Sequence, residues 1–234
     1  MKRMILVLIL LSSYLGAGEP PDRLRVSISG SLGFDGMNLD VPPEVKYTPP
    51  HPADQPASVV GGFHDDPRLG LGTTTFGTGI ELRLTDTFSI EGGISWIRFV
   101  GSSRSEESYP PYSSYTYFDT DVDEWVREPY AELTWTFYEG EVGRCSLSFG
   151  VGHTDEFAIE YKRGWYRWGN YQLAAVHSAE VGGSLYYIKY RMSSREGIGI
   201  VARLNWRKWE ASFDTGQIST DRNWGLAIGI EFGF

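Results

Sequence analysis

One cysteine, Cys145, stands in the 234 residues, so the chain can close no disulfide within itself. That cysteine lies far from the N-terminal segment, so no lipoprotein-type cysteine is present at an export-cleavage point. Cations are scarce: 21 Lys and Arg against 30 Asp and Glu leave a formal charge of -9. An acidic balance of this kind excludes a nucleic-acid-binding role, which needs clustered basic side chains to displace counterions from phosphate. Long apolar runs are missing too. The only candidate, residues 4–11 behind Lys2 and Arg3, falls short of the roughly 20 residues that a membrane-spanning helix requires. Mostly small residues follow as far as Gly18, which completes the three-part pattern of a secretory signal with cleavage after Ala17 or Gly18. The expectation is an exported chain with a signal peptide over 1–18 and a mature domain over 19–234. Losing Lys2 and Arg3 takes the charge from -9 to -11.

Period-2 alternation is what the sequence has in quantity, and it places successive side chains on opposite faces of a strand. The last segment shows it most clearly: Trp224, Leu226, Ile228, Ile230, Phe232 and Phe234 share one face, and Gly225, Ala227, Gly229, Glu231 and Gly233 the other. Seven further segments read the same way. Leu24, Val26, Ile28, Leu32 and Phe34 oppose Arg25, Ser27, Ser29 and Ser31; Phe76, Ile80, Leu82 and Leu84 oppose Gly77, Gly79, Glu81 and Arg83. After Thr85-Asp86-Thr87, Ile90, Ile94 and Trp96 oppose Ser89, Glu91 and Ser95. Ala131, Leu133, Trp135 and Phe137 oppose Tyr130, Glu132, Thr134 and Thr136, and Cys145, Leu147, Phe149 and Val151 oppose Ser146, Ser148, Gly150 and Gly152. The sixth and seventh are less regular: Ala179, Val181, Leu185 and Tyr187 are set against Glu180, Gly182 and Ser184, and Ile198, Ile200, Ala202, Leu204 and Trp206 against Arg203, Asn205 and Arg207.

No position on the apolar face is charged, a uniformity that fits lipid contact, where Arg or Lys at the bilayer midplane costs roughly 2 to 4 kcal/mol. Links near residues 35–75, 101–125, 153–173 and 208–223 are long, and those near 85–87, 139–144 and 191–197 short. This alternation predicts an all-β, antiparallel, up-and-down transmembrane barrel of about eight strands, with long extracellular loops, short periplasmic turns and both chain ends at the periplasmic face. Two aromatic girdles are expected, Phe34, Phe76, Trp96, Trp206 and Trp224 toward the outside, and Phe88, Phe137, Tyr187, Phe232 and Phe234 toward the periplasm.

With that pattern and a terminal Phe, the mature chain resembles the small eight-stranded outer-membrane proteins, the class of the OmpA transmembrane domain, OmpX and OmpW. The resemblance implies an integral place in the bacterial outer membrane. It also implies that Ile228, Ile230, Phe232 and Phe234 form the signal read by the barrel-assembly machinery. It is silent about activity, since unrelated functions share this fold.

An eight-stranded barrel is just wide enough for its own side chains to fill. The expected lining combines Glu81, Glu91, Glu132, Glu180 and Glu231 with Arg25, Arg83, Arg203 and Arg207, either as a salt-bridged plug or as a narrow polar channel for small or hydrophobic solutes. Hydrolytic candidates are few. His177-Ser178 is similar to the His-x-Ser of outer-membrane lipid A deacylases, but Ala179 stands where the Ser belongs. His64-Asp65-Asp66 and His153-x-Asp155 offer His and Asp neighbours of the sort that omptin-type surface proteases use to activate water. Asp119-x-Asp121-x-Asp123-Glu124 opens like a calcium loop but lacks its sixth-position Gly and twelfth-position Glu, so no metal, cofactor or catalytic residue is assigned. Two aromatic-rich stretches supply surface-contact candidates, Tyr112, Tyr115 and Tyr117 in one and Trp165 and Trp168 in the other. The reading is a monomeric barrel with a structural or surface-interaction role. Its partners would be outer-membrane lipid and lipopolysaccharide, the assembly machinery, and a host or phage surface ligand. A channel and a lipid A or peptide hydrolase are the alternatives. The Pro-rich segment 41–56 forms no regular ladder.

Overall fold

A computed structural model describes residues 24–38, 68–109, 114–167, 170–194, 197–214, 216 and 218–234. The expected leader, the Pro-rich segment, and the candidates His64, Asp65, Asp66, Tyr112 and Trp168 lie outside them. Eight strands follow in chain order: β1 Leu24–Asn38, β2 Arg68–Arg83, β3 Phe88–Tyr109, β4 Ser114–Glu139, β5 Gly143–Arg167, β6 Asn170–Ser194, β7 Ile198–Phe213 and β8 Ile218–Gly233. Each pairs antiparallel with its neighbours in sequence, and β1 pairs with β8 from Ser27↔Gly233 to Asp35↔Gly225, so the sheet closes. The seam is fastened at its periplasmic end by Val26 N donating to Phe234 O at 3.0 Å and Phe234 N donating to Val26 O at 2.9 Å. Closure leaves no open edge, which is what lets a sheet stand in lipid.

The turns at one end are tight. Between β2 and β3, Leu84 N donates to Phe88 O at 2.9 Å, and the Thr85 hydroxyl accepts from Phe88 N at 3.0 Å. Gly197, with φ of 84°, makes the reversal into β7 that a residue with a Cβ would resist. At the other end the connection over 39–67 is long, as expected, but those after β3, β5 and β7 are shorter than the sequence suggested. The ladder β3–β4 runs on to Tyr109↔Ser114, and β5–β6 to Arg167↔Asn170. Most of what reads as loop over 101–125 and 153–173 is therefore strand, up to 26 residues long in β4. About 9 to 11 residues cross a bilayer as a tilted strand, so the excess projects beyond it.

The apolar face changes sides along these long strands. In the half of the barrel near the chain ends it points outward: Leu32, Phe76, Ile94, Leu133, Phe149, Ile188, Leu204 and Ile228 are all exposed on the exterior. In the projecting half it points inward. Phe99, Val126, Phe157, Ile159, Val181, Trp209, Ala211 and Phe213 are buried inside the barrel, with Met37, Leu69 and Leu71 among them. On β7 the exchange falls between Trp206, which is outside, and Trp209, which is inside. The two halves answer to different solvents, lipid around the first and water around the second.

This exchange corrects the reading of the sixth segment. Ala179 and Val181 belong to the inward face of the projecting half, and extending their pattern downward put Leu185 and Tyr187 on the lipid side. Both are buried inside, while Tyr186, Ile188, Tyr190 and Met192 face out. Glu180 is consequently exposed on the exterior and takes no part in the lumen, and Tyr187 is not in the periplasmic girdle. The other nine girdle residues lie on outward positions.

Candidate functional site

The interior at membrane height is built from the small, polar face of the strands. Gly150 on β5 leaves room for the Tyr187 ring, which would otherwise meet a Cβ at that position. Into this space six carboxylates and their cations project in two tiers. In the lower tier Lys189 Nζ reaches Glu132 at 2.7 Å and Glu231 at 3.3 Å, and Arg191 bonds Glu231 and reaches Glu81 at 3.5 Å. Arg144 lies 3.3 Å from Glu81, and Ser89 also donates to that carboxylate. Glu91 accepts from the hydroxyls of Ser27 and Tyr130, both at 2.7 Å, and Tyr187 donates to Glu132 at 2.9 Å. In the upper tier Arg207 bonds Glu128 and Thr154, and lies 3.3 Å from Asp35.

Of the nine lumen residues expected from sequence, Glu81, Glu91, Glu132, Glu231 and Arg207 join this network directly. Arg203 lies over the Tyr187 ring, 5.2 Å from its centre, within the same layer. Arg25 sits at the periplasmic mouth, where it donates to Gly197 O at 3.4 Å. Arg83 stands at the rim, not in the lumen: it pairs with Glu139 at 2.8 Å and caps the carbonyl of Asp86 at 3.0 Å. Asp35, Glu128, Arg144, Lys189 and Arg191 were missed. A signal for the last two existed, because Tyr186, Ile188, Tyr190 and Met192 alternate with them along β6.

Above the ionic tiers an apolar core fills the bore. Phe99 and Phe157 stack with centroids 5.5 Å apart and planes at 12°, and Trp209 packs edge-on against both at 5.5 and 6.1 Å. Tyr161 meets Phe213 edge-on at 5.9 Å one level further out. What space remains is small. A chamber of about 40 Å³ lies among Ser29, Thr75, Tyr130, Lys189 and Arg203, enough for about three water molecules. Among the described residues Thr75 Oγ1 and Arg203 Nε have no hydrogen-bond partner. A wider vestibule of about 500 Å³ opens at the periplasmic mouth beside Arg25, Glu139 and Arg144.

The histidine and acidic candidates do not assemble. Asp155 pairs with Arg127 at 2.8 Å, and His153 stands on the exposed outer face of β5. Ser178 is exposed and Ala179 buried, so adjacent positions face opposite ways, as the alternation requires. Asp123 is gripped by Arg98 through two hydrogen bonds of 2.7 and 2.8 Å, which hold its carboxyl below the usual range. Among the described residues no group of His, Cys, Asp or Glu side chains is arranged to hold a metal ion. Tyr115, Tyr117 and Trp165 lie on the β4–β5 ladder, with Tyr117 opposite Gly164 and Trp165 opposite Thr116.

No family model and no curated protein matches the sequence. Among solved structures, the chain is similar to Ail, the attachment invasion locus protein of Yersinia pestis, at 10% identity and a TM-score of 0.36, over 92% of this chain and 100% of that one. It is similar to the outer membrane protease OmpT of Escherichia coli at 9% identity and a TM-score of 0.35, over 92% and 97%. The translocator domain of the autotransporter NalP of Neisseria meningitidis follows at 8% identity and a TM-score of 0.23, over 99% and 95%. Likenesses this distant carry no argument about role. What decides the class is the closed eight-strand sheet whose charges are inside and whose large apolar side chains are outside at membrane height: the protein is a small integral β-barrel of the outer membrane.

Proposed function

We propose that this barrel conducts nothing and works at its projecting end, as a rigid membrane-anchored platform that meets other surfaces. The observation that carries the reading is the double closure of the interior, by paired charges at membrane height and by the stacked Phe99, Phe157 and Trp209 above them. A transported solute would have to part both layers. Strands that outrun the bilayer by several residues hold their connections away from the lipid, where a host or phage surface ligand would be met. The aromatic stretches containing Tyr112, Tyr115, Tyr117, Trp165 and Trp168 are the contact candidates. Ile228, Ile230, Phe232 and Phe234 would serve assembly, consistent with their outward row on the seam strand β8. Hydrolysis has less support, because Asp155 is engaged by Arg127 and His153 points toward the lipid boundary.

Single-channel recording of the folded mature chain in a planar lipid bilayer tests the reading. Electrical silence from a barrel that shows heat-modifiable gel migration is expected; discrete, reproducible openings would replace the platform with a pore.

A further inference from the structure

The outer surface carries a boundary at which the first charge met on each of several strands is basic. Moving outward along β3, β4, β7 and β8, the exterior positions are uncharged up to Arg98, Arg127, Lys208 and Arg222. Arg98 is matched by Asp123 and Arg127 by Asp155. On the other side of the barrel the arrangement differs. His153, Ser184, Lys208 and Arg222 are successive cross-strand partners on β5 to β8, so they form one row around the exterior. Lys208 and Arg222 stand directly opposite each other, an arrangement of like charges that destabilises a sheet unless something offsets it. Lys208 has Glu210 at 2.6 Å, whereas among the described residues no carboxylate pairs with Arg222.

Directly beneath lies a second row of partners, Val151, Tyr186, Trp206 and Trp224. Trp206 stacks on Trp224 at 5.8 Å and 13°, and Tyr186 tilts against Trp206 at 5.9 Å. Below that the exterior is apolar, with Phe149, Ile188, Leu204 and Leu226 in the next row. From bottom to top the sequence is aliphatic, aromatic, then cationic with a hydroxyl. Aromatic rings of this kind settle at headgroup level, and a guanidinium with a neighbouring ammonium matches a phosphate one step above them.

We propose that the row Ser184–Lys208–Arg222 above Tyr186, Trp206 and Trp224 is a binding site for the phosphate of a membrane lipid, whose acyl chains lie along the apolar rows of β6 to β8. The negative phosphate offsets the Lys208–Arg222 repulsion, with Arg222 as its fork-shaped donor and Lys208 shared between phosphate and Glu210.

The test is native mass spectrometry of the folded full-length mature barrel in detergent micelles, titrated with phosphatidic acid or with diacylglycerol of the same acyl chains. Phosphatidic acid should be retained at least about tenfold more tightly. Each basic residue at a charged membrane surface is worth about fivefold. K208Q/R222Q should therefore weaken phosphatidic acid roughly 25-fold and leave diacylglycerol unchanged, while K208R/R222K keeps the preference. K162Q, on the exposed face of β5 well above the row, should match wild type. Equal retention of the two lipids, or an undiminished preference in the double variant with normal heat-modifiable migration, would overturn the proposal. So would displacement of the lipid by millimolar inorganic phosphate, which would make the ligand a free ion.

Discussion

The guanidinium carbon of Arg207 lies 4.9 Å from the centre of the Trp209 ring, two residues further along the same strand. The same guanidinium lies 5.4 Å over Phe99, so a buried cation roofed by aromatic faces separates the ionic tiers from the apolar core.

If two independent layers close the tube, removing one leaves it closed. R207S/E128S should remain electrically silent in planar bilayers, because Phe99, Phe157 and Trp209 still fill the bore. F99A/F157A/W209A should also remain silent, because the lower tier of Lys189, Arg191, Glu132 and Glu231 still fills the bore at membrane height. Openings in the first variant would show that the apolar core is no seal.

Trp209 is fully buried inside the projecting half and touches two other rings. Replacing it by Ala should cost about 3–5 kcal/mol, as for large-to-small changes in a packed core. Ser212→Ala, on the exposed face of the same strand, should stay within about 0.5 kcal/mol. Urea titration in lipid vesicles, followed by the gel shift, measures both. A loss under about 1 kcal/mol at position 209 would mean that the ring is not packed.

Arg207 is the cation shared by Asp35 and Glu128, both of them buried. Arg207→Met strands two carboxylates and should cost about 3–5 kcal/mol. Adding E128Q to that variant should recover part of the loss, giving a coupling energy in a double-mutant cycle. Strict additivity of the two changes would dissolve the pair.

The Arg98–Asp123 pair sits outside the bilayer, so acid reaches it freely. The Asp123 carboxyl is held below its ordinary value of 3.8 by hydrogen bonds from Arg98. A depressed folded-state value means that whatever stability the pair gives is present above the unfolded value and lost as pH falls through the folded one. Wild type and D123N should therefore converge in unfolding midpoint at strongly acid pH and differ only slightly at pH 7, because the pair is exposed. A difference that grows on acidification would reverse the sign.

Much of this architecture was legible because lipid imposes a simple rule. Where the strands cross the membrane, period-2 alternation with an uncharged face identified β8 and the lower parts of β1 to β5 and β7 in their correct registers. The failures share one cause. At β6 the sequence carries two alternations out of phase, Ala179 and Val181 facing in above, Tyr186, Ile188, Tyr190 and Met192 facing out below. A single phase imposed on both inverted the lower one and hid Lys189 and Arg191. The same assumption turned much of the projecting parts of β3, β4 and β5 into loops, since Val122, Phe157 and Ile159 fall on the face reserved for polar residues. The pairing of Arg207 with Asp35 and Glu128 joins β7, β1 and β4, a relation between distant segments that no local pattern carries.

Because the apolar face exchanges sides within about two residues on β7, the barrel is registered along the membrane normal from both directions. Sinking by one residue pair would drag Lys208 and Arg222 into hydrocarbon; rising by the same step would strip lipid from Trp206 and Trp224. The phase change is a depth gauge, and it fixes how far the outer rim stands clear of the bilayer however the connections at that rim vary.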